Sequence, residues 1–170
     1  VQREAALDAL SGGLTRALTL IQAPAGFGKT TLLTTWREQL LAQGMIVAWL
    51  TLDQDDNDEN RFIEYLTGAF ATALGPLAED APEFGNVGKL VSVKAHLTSI
   101  INSLDRARHE VTLMLDNYDK ITDPAVHELI SFLLRHTPAN LHVVAATRAE
   151  PPLPLASLRA RDQLVEISTD

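Results

Sequence analysis

Apolar residues recur along this chain with two spacings, and the spacing changes from one segment to the next. In four longer segments they return every third or fourth position, which is the spacing of a helix with one buried face. Between the helices lie short runs that are apolar at nearly every position, which is typical of strands covered by helices on both sides. The predicted helices are residues 1–10, 29–43, 61–74, 92–107, 124–135 and 156–161. The predicted strands are residues 17–22, 45–50, 111–115, 141–146 and 164–167.

The order of these elements predicts the fold class. Strands that alternate with helices predict an α/β fold, here with a five-stranded, mostly parallel sheet between two layers of helices. Pro76, Pro82, Gly85 and Gly88 interrupt the segment 75–90, so we expect a long loop there. A length of 170 residues is normal for one domain, and we expect residues 1–170 to form a single one.

Composition and charge exclude several kinds of site. The chain has no cysteine, so it forms no disulfide, thiolate metal site or cysteine nucleophile. Its 22 acidic residues against 14 lysines and arginines give a net charge of −8, which argues against nucleic-acid binding through a broad basic face. The chain has no apolar run of the roughly 18 residues that a membrane span needs. We expect no signal peptide, and we expect a cytoplasmic protein with no membrane partner. Its first residue is valine rather than methionine, and we expect a fragment of a larger protein.

The segment from Ala23 to Thr31 reads Ala-Pro-Ala-Gly-Phe-Gly-Lys-Thr-Thr and lies between a predicted strand and a predicted helix. It fits the phosphate-binding loop of P-loop NTPases, with alanine in place of the usual first glycine. Glycines let such a loop turn its backbone amides toward phosphate oxygens, and the lysine adds a positive charge. The helix that follows directs its positive end at the same phosphates. The candidate nucleotide-binding residues here are Ala25, Gly26, Phe27, Gly28, Lys29, Thr30 and Thr31.

A phosphate loop of this kind needs a second oxygen ligand for Mg²⁺, usually at the end of a buried strand. Asp116 directly follows the strand 111–115, so we expect Thr30 and Asp116 to hold the Mg²⁺ ion. Related ATPases of the additional-strand type commonly carry an acid next to this aspartate, but here the next residue is Asn117. An amide oxygen accepts a hydrogen bond and cannot take up a proton. Nucleotide binding is therefore better supported than hydrolysis, for which the candidates are Lys29, Asp116 and Asp119.

Arg148 closely follows the fourth predicted strand, residues 141–146. In sheets of the additional-strand type, this strand lies beside the strand that leads into the phosphate loop, so its carboxyl end faces the γ-phosphate. An arginine there can form charge-assisted hydrogen bonds to phosphate and report its presence. The alternative interpretation is a surface arginine paired with an acidic side chain.

These motifs together resemble the nucleotide-binding domain of signal-transduction ATPases with numerous domains. Within this group the chain is most similar to the large ATP-dependent LuxR-type transcriptional activators, of the maltose-regulon activator type. Besides the phosphate loop, the segments that carry the resemblance are residues 48–53, 56–58, 61–62, 115–118, 147–148, 151–156 and 158–161.

The resemblance implies a three-layer P-loop NTPase domain that acts as an ATP/ADP switch in transcription regulation. ADP would hold a closed monomer, and ATP with an inducer would favour self-association of the full-length protein. It also implies that Arg3 lies against the adenine and phosphates. The winged-helix, sensor and DNA-binding regions of such activators are absent here, so we expect no nucleic-acid or inducer binding by this chain. Where the family commonly has aspartate and histidine, this chain has Asn117 and Asp119, which favours slow hydrolysis or none.

Two other functions remain open on the same fold. A small-molecule kinase would need an acceptor pocket and an arginine-rich lid, for which this chain offers few arginines. A motor-type ATPase would need an arginine supplied by a neighbouring subunit, and Arg135, Arg159 or Arg161 could serve. The acidic run at residues 53–59 lacks the glycine of a calcium-binding loop, so we expect it to be a solvated loop that caps the next helix.

Overall fold

The computed structural model describes residues 2–80 and 92–168. The helices are α1 (Gln2–Gly12), α2 (Lys29–Ala42), α3 (Glu59–Leu74), α4 (Val93–Ala107), α5 (Pro124–Arg135) and α6 (Leu155–Ala160). The strands are β1 (Leu18–Gln22), β2 (Ile46–Thr51), β3 (Val111–Asp116), β4 (Leu141–Thr147) and β5 (Leu164–Ser168). Every predicted helix and strand is present, with ends that differ by one or two residues. In the segment predicted as a long loop, Gly75–Asp80 forms a 3₁₀ helix, and residues 81–90 lie outside the described part.

The five strands form one sheet in the order β2-β3-β4-β1-β5, and every neighbouring pair is parallel. The predicted α/β fold with a parallel sheet is therefore confirmed. Strand β4 lies between β3 and β1, which is the arrangement expected for the additional-strand type. Because all strands run the same way, the residues that follow β1, β3 and β4 meet at one edge of the sheet.

Helices cover both faces of the sheet, which explains why the strands are apolar along their whole length. One face packs against α3, α4 and α5, and the other against α1 and α2. Strand β3 contributes to both sides, since Leu113 and Leu115 belong to the first cluster and Met114 to the second. Successive side chains of a strand point to opposite faces, so a sheet buried on both sides requires apolar residues at every position.

Side-chain caps fix the starts of three helices. Asp58, Ser92 and Asp123 each accept a hydrogen bond from a backbone amide in the first turn of α3, α4 and α5. In the acidic run, Asp53 and Asp56 form a capping box around the 3₁₀ turn Gln54–Asp56. The acidic residues therefore cap local turns as expected, although α3 begins at Glu59, two residues earlier than predicted.

None of the helices in residues 2–80 and 92–168 combines the length and the apolar character needed to cross a membrane.

Candidate nucleotide-binding site

The phosphate loop, residues 23–31, leaves the sheet at the end of β1 and leads into α2. Gly26 and Gly28 have φ angles of +83° and +77°, in the left-handed region that L side chains rarely adopt. Ala25, Phe27 and Thr31 are exposed, and the Phe27 ring is 56% exposed. Gly28 is the N-cap of α2 and has no side chain, so nothing from this residue covers the first amides of the helix. The loop therefore presents backbone donors at a helix N-terminus, which is a suitable site for an anion.

Lys29 directs its side chain back over the loop. Its Nζ atom donates hydrogen bonds to the carbonyl oxygens of Ala23 and of Pro24, the latter at 2.9 Å. Partial burial lowers the pKa of Lys29 and the nearby Arg148 lowers it further, while Asp119 and Asp116 act in the opposite direction. The ammonium group thus lies within the electrostatic field of three other predicted site residues.

Thr30 and Asp116 are in direct contact beneath the loop. The Thr30 hydroxyl donates to Asp116 Oδ2 at 2.8 Å, and the backbone amide of Asn117 donates to Asp116 Oδ1 at 3.0 Å. Asp116 is 2% exposed, so β3 fixes this carboxylate inside the fold. A hydroxyl and a carboxylate oxygen at this separation are ligands that suit Mg²⁺, which takes its other ligands from water and phosphate. Within the described residues, no group of three or more acidic or histidine side chains offers a different metal site.

Arg148 and Asp119 form an ion pair at the same edge of the sheet. Arg148 Nε lies 3.8 Å from Asp119 Oδ2, and the Arg148 backbone amide donates to Asp119 Oδ1 at 3.2 Å. The Arg148 side chain is 53% exposed and the Asp119 side chain 17%. Arg148 is therefore paired with an acid, as the alternative interpretation predicted, but that acid is itself a candidate site residue.

The segment 117–123, which we call the post-β3 turn, carries Asn117 and Asp119. Asn117 has a φ of +57°, in the left-handed region that asparagine tolerates better than most residues. The hydroxyl of the buried Tyr118 lies 2.9 Å from His127 Nδ1 in α5. Burial raises the pKa of Tyr118 and lowers that of His127, so burial favours the neutral form of both side chains.

Asn57 also contacts the post-β3 turn, and sequence reasoning gave it no role in the site. Its side chain donates to the carbonyl of Lys120 at 2.9 Å and accepts from the amides of Thr122 and Asp123 at 2.7 and 2.9 Å. These partners are 63 to 66 residues away in the sequence, so no local pattern could have indicated the contact.

The remaining predicted arginines lie away from this cluster or outside the description. Arg3 belongs to α1, but its side chain is not among the described parts of the chain. Arg135 pairs with Glu128 at 2.6 Å, and Arg159 makes two contacts with Glu166, the shorter at 2.7 Å. Arg135 and Arg159 are thus paired within the chain.

Comparison with known families gives one domain-level match. A family model described as an AAA ATPase domain matches residues 2–145 of this chain. The match begins in α1 and ends within β4, so it includes the phosphate loop, Asp116 and Asp119.

Two curated relatives are transcriptional regulators. An HTH-type transcriptional regulator MalT from Yersinia enterocolitica is 37% identical over 167 residues, which cover 98% of this chain and 18% of that protein. The MalT of Vibrio campbellii is 34% identical over 170 residues, which cover 100% of this chain and 18% of that protein. The chain thus spans less than a fifth of the length of these relatives.

Solved structures with low sequence identity share the fold. Cdc6p from Pyrobaculum aerophilum has a TM-score of 0.64 at 15% identity, and the match covers 97% of this chain and 45% of that one. A signal transduction ATPase with numerous domains from Pyrococcus horikoshii, which carries a tetratricopeptide repeat sensor, has a TM-score of 0.62 at 15% identity. That match covers 97% of this chain and 22% of the other. Together with the regulators, these findings confirm the resemblance that the sequence motifs indicated.

Proposed function

Because this chain belongs to the AAA ATPase domain family, we propose that it is the ATP- and ADP-binding switch domain of a LuxR-type transcriptional regulator. The two MalT relatives support the regulatory role, since they match nearly the whole chain. The observation that carries the proposal is the 2.8 Å contact between Thr30 and Asp116 beneath the phosphate loop. That contact joins the two motifs that a Mg²⁺-nucleotide needs, although they are 86 residues apart in the sequence.

Each part of the phosphate loop has a task in nucleotide binding. The amides of residues 25–31 would surround the phosphate oxygens, with Gly26 and Gly28 providing the left-handed backbone. Lys29 would exchange its two carbonyl partners for the β- and γ-phosphates, and negative charge beside it would raise its lowered pKa. Thr30 and Asp116 would hold Mg²⁺, which neutralises phosphate charge when it is bound.

The γ-phosphate is the group that distinguishes ATP from ADP. Arg148 follows the strand next to β1, is half exposed and pairs with Asp119 across 3.8 Å. A guanidinium so placed can turn from a carboxylate to a phosphate, because both accept hydrogen bonds in similar geometry. Arg148 would thus sense the γ-phosphate, and its ion pair with Asp119 would break when Arg148 binds the phosphate.

Hydrolysis by this site would be slow and would reset the switch. Asn117 follows Asp116 and cannot accept a proton, so orientation of the attacking water would be left to Asp119. In the full-length protein, ADP would favour a monomer and ATP an oligomer active in transcription. DNA and inducer would bind to regions beyond this chain, which spans 18% of its regulatory relatives.

Single-turnover ATP hydrolysis in the presence of Mg²⁺ tests the switch. We expect a rate below about one per minute, against roughly 10 s⁻¹ for a typical enzyme. Asn117→Asp should raise the rate, because a carboxylate can take the proton that an amide cannot. Asn60→Asp, which adds the same charge to the exposed first turn of α3, serves as the matched control. Rapid turnover by the unchanged chain would favour a motor-type ATPase or a kinase.

A further inference from the structure

The side chain of Asn57 uses its whole hydrogen-bonding capacity. Its Nδ2 group donates to the carbonyl oxygens of Gln54 at 3.1 Å and Lys120 at 2.9 Å. Its Oδ1 atom accepts from the amides of Thr122 at 2.7 Å and Asp123 at 2.9 Å. An amide side chain has two N–H donors and two acceptor lone pairs, so each is engaged. Three of the partners belong to the post-β3 turn, and only Gln54 belongs to the segment that carries Asn57.

These hydrogen bonds hold the backbone on which Asp119 stands. Asp119 immediately precedes Lys120, whose carbonyl is bound by Asn57. On the other side of Asp119, Tyr118 is buried and contacts His127. The backbone of Asp119 is therefore held from both sides, by Asn57 from the β2–α3 connection and by His127 from α5.

The position of Asp119 in turn determines the position of Arg148. Asp119 accepts the Arg148 backbone amide and faces the guanidinium at 3.8 Å. The charges of Asp119 and Arg148 both act on Lys29 of the phosphate loop. The same turn also reaches the loop through the Asn117 backbone amide, which donates to Asp116, the partner of Thr30. A displacement of the post-β3 turn that moves Asp119 would therefore also move Arg148 relative to the nucleotide.

We propose that Asn57 is a positioning residue for γ-phosphate recognition, which acts through Asp119 and Arg148. The proposal rests on the ATP/ADP switch function proposed above and deepens it. Without the Asn57 amide, the post-β3 turn loses three of its hydrogen bonds and Asp119 no longer holds Arg148 at the edge of the sheet. ATP binding then weakens, while ADP binding, which does not use Arg148, stays the same.

The test is a double-mutant cycle on the ratio of two affinities. Binding of ADP and of the non-hydrolysable ATP analogue AMP-PNP, each with Mg²⁺, is measured for the unchanged chain, Asn57→Ala, Arg148→Ala and the double variant. Because Asn57→Ala would cost the interaction between Arg148 and the γ-phosphate, it should weaken AMP-PNP binding roughly five- to thirtyfold, which is about 1–2 kcal/mol, and leave ADP binding within about twofold. In the Arg148→Ala background, Asn57→Ala should have no further effect on the ratio.

Two further variants separate positioning from general damage. Asn60→Ala removes an exposed asparagine three residues away and should change neither affinity. Asn57→Ser keeps a small hydroxyl in place of the amide, so it provides a milder change if Asn57→Ala does not fold. It should lower AMP-PNP affinity in the same selective way.

Three results would overturn the proposal. If Asn57→Ala weakened the binding of both nucleotides equally, or changed the binding of neither, Asn57 would have no selective role. Additive effects of Asn57→Ala and Arg148→Ala on the affinity ratio would show that Asn57 does not act through Arg148. If Arg148→Ala left the ratio of AMP-PNP to ADP affinity unchanged, Arg148 would not be the residue that senses the γ-phosphate. Failure of the unchanged chain to bind either nucleotide would instead contradict the proposed function itself.

Discussion

The phosphate loop and the post-β3 turn lie at the same edge of the sheet, yet different parts of the chain hold them in place. The phosphate loop has glycines at its two left-handed positions, and the Lys29 side chain bonds back to the carbonyls of Ala23 and Pro24. Its Thr30 hydroxyl contacts Asp116 of β3. The post-β3 turn has a left-handed Asn117 and is held by side chains from the β2–α3 connection and from α5. The phosphate loop is therefore held largely by contacts within itself, and the post-β3 turn largely by side chains from distant parts of the chain.

This difference matches the roles proposed for the two segments. A loop held largely by contacts within itself leaves its backbone amides open to phosphate. A turn held by distant side chains can move when those contacts change, and it moves Asp119 with it. The phosphate loop would thus bind both nucleotides, and the post-β3 turn would distinguish between them.

The largest expected effect comes from Asp116, which joins the two segments by contacting the Thr30 hydroxyl and the backbone amide of Asn117. Asp116→Asn preserves the size of the side chain but removes the charge that would hold Mg²⁺. We expect the Mg²⁺-dependent part of ATP affinity to disappear, a loss of roughly ten- to a hundredfold. ATP titrations in the presence of Mg²⁺ and in the presence of EDTA measure this Mg²⁺-dependent part of the affinity. Asp105→Asn on the exposed side of α4 is the matched control. A variant that kept its full Mg²⁺ dependence would place the ion elsewhere.

Gly28→Ala tests whether the left-handed backbone at Gly28 helps to shape the phosphate loop. The new methyl group meets no atom within 4 Å, so its cost is the left-handed conformation, about 1–2 kcal/mol of the free energy of unfolding. Gly68→Ala in α3 also meets no atom and has an ordinary helical backbone, so it should stabilise by about 1 kcal/mol. In urea unfolding, the two variants should change the free energy of unfolding in opposite directions. The same sign for both would contradict a conformational cause.

His127 gives the smallest effect and tests the tertiary support of the post-β3 turn. Burial lowers the pKa of His127 in the folded chain below its ordinary value near 6.5. The unfolded chain then binds a proton more readily, so stability falls as the pH drops through about 6.5, by at most about 1.4 kcal/mol per pH unit. Urea unfolding between pH 8 and 5 should show this loss. The loss of stability at low pH should be smaller in His127→Asn and unchanged in His109→Asn, which replaces an exposed histidine.

The sequence was sufficient for the fold and for the parts of the site that depend on local pattern. Buried strands, striped helices and the spacing from Ala23 to Thr31 each come from contiguous residues, so their elements were predicted to within one or two positions. That Thr30 and Asp116 lie close together also followed, because parallel strands place their carboxyl ends at one edge.

Asn57 and His127 could not be predicted in the same way. Asn57 lies in a segment that carries the family resemblance, but its residue types indicate no contact with the post-β3 turn. His127 lies on a helix whose stripe is explained by its apolar neighbours. Their contacts with the post-β3 turn depend on how the β2–α3 connection and α5 meet in space. Pairing of Arg148 with Asp119 likewise depends on the exact path of the turn, 29 residues earlier in the chain.

The most direct test of the central claim is calorimetric titration of ADP and ATP, with Mg²⁺, into the unchanged chain, Lys29→Ala, Arg148→Ala and the control Lys94→Ala. We expect both nucleotides to bind the unchanged chain and the control, both to weaken at least about tenfold in Lys29→Ala, and only ATP to weaken in Arg148→Ala. Nucleotide binding that did not depend on Lys29, or no binding by the unchanged chain, would contradict the account.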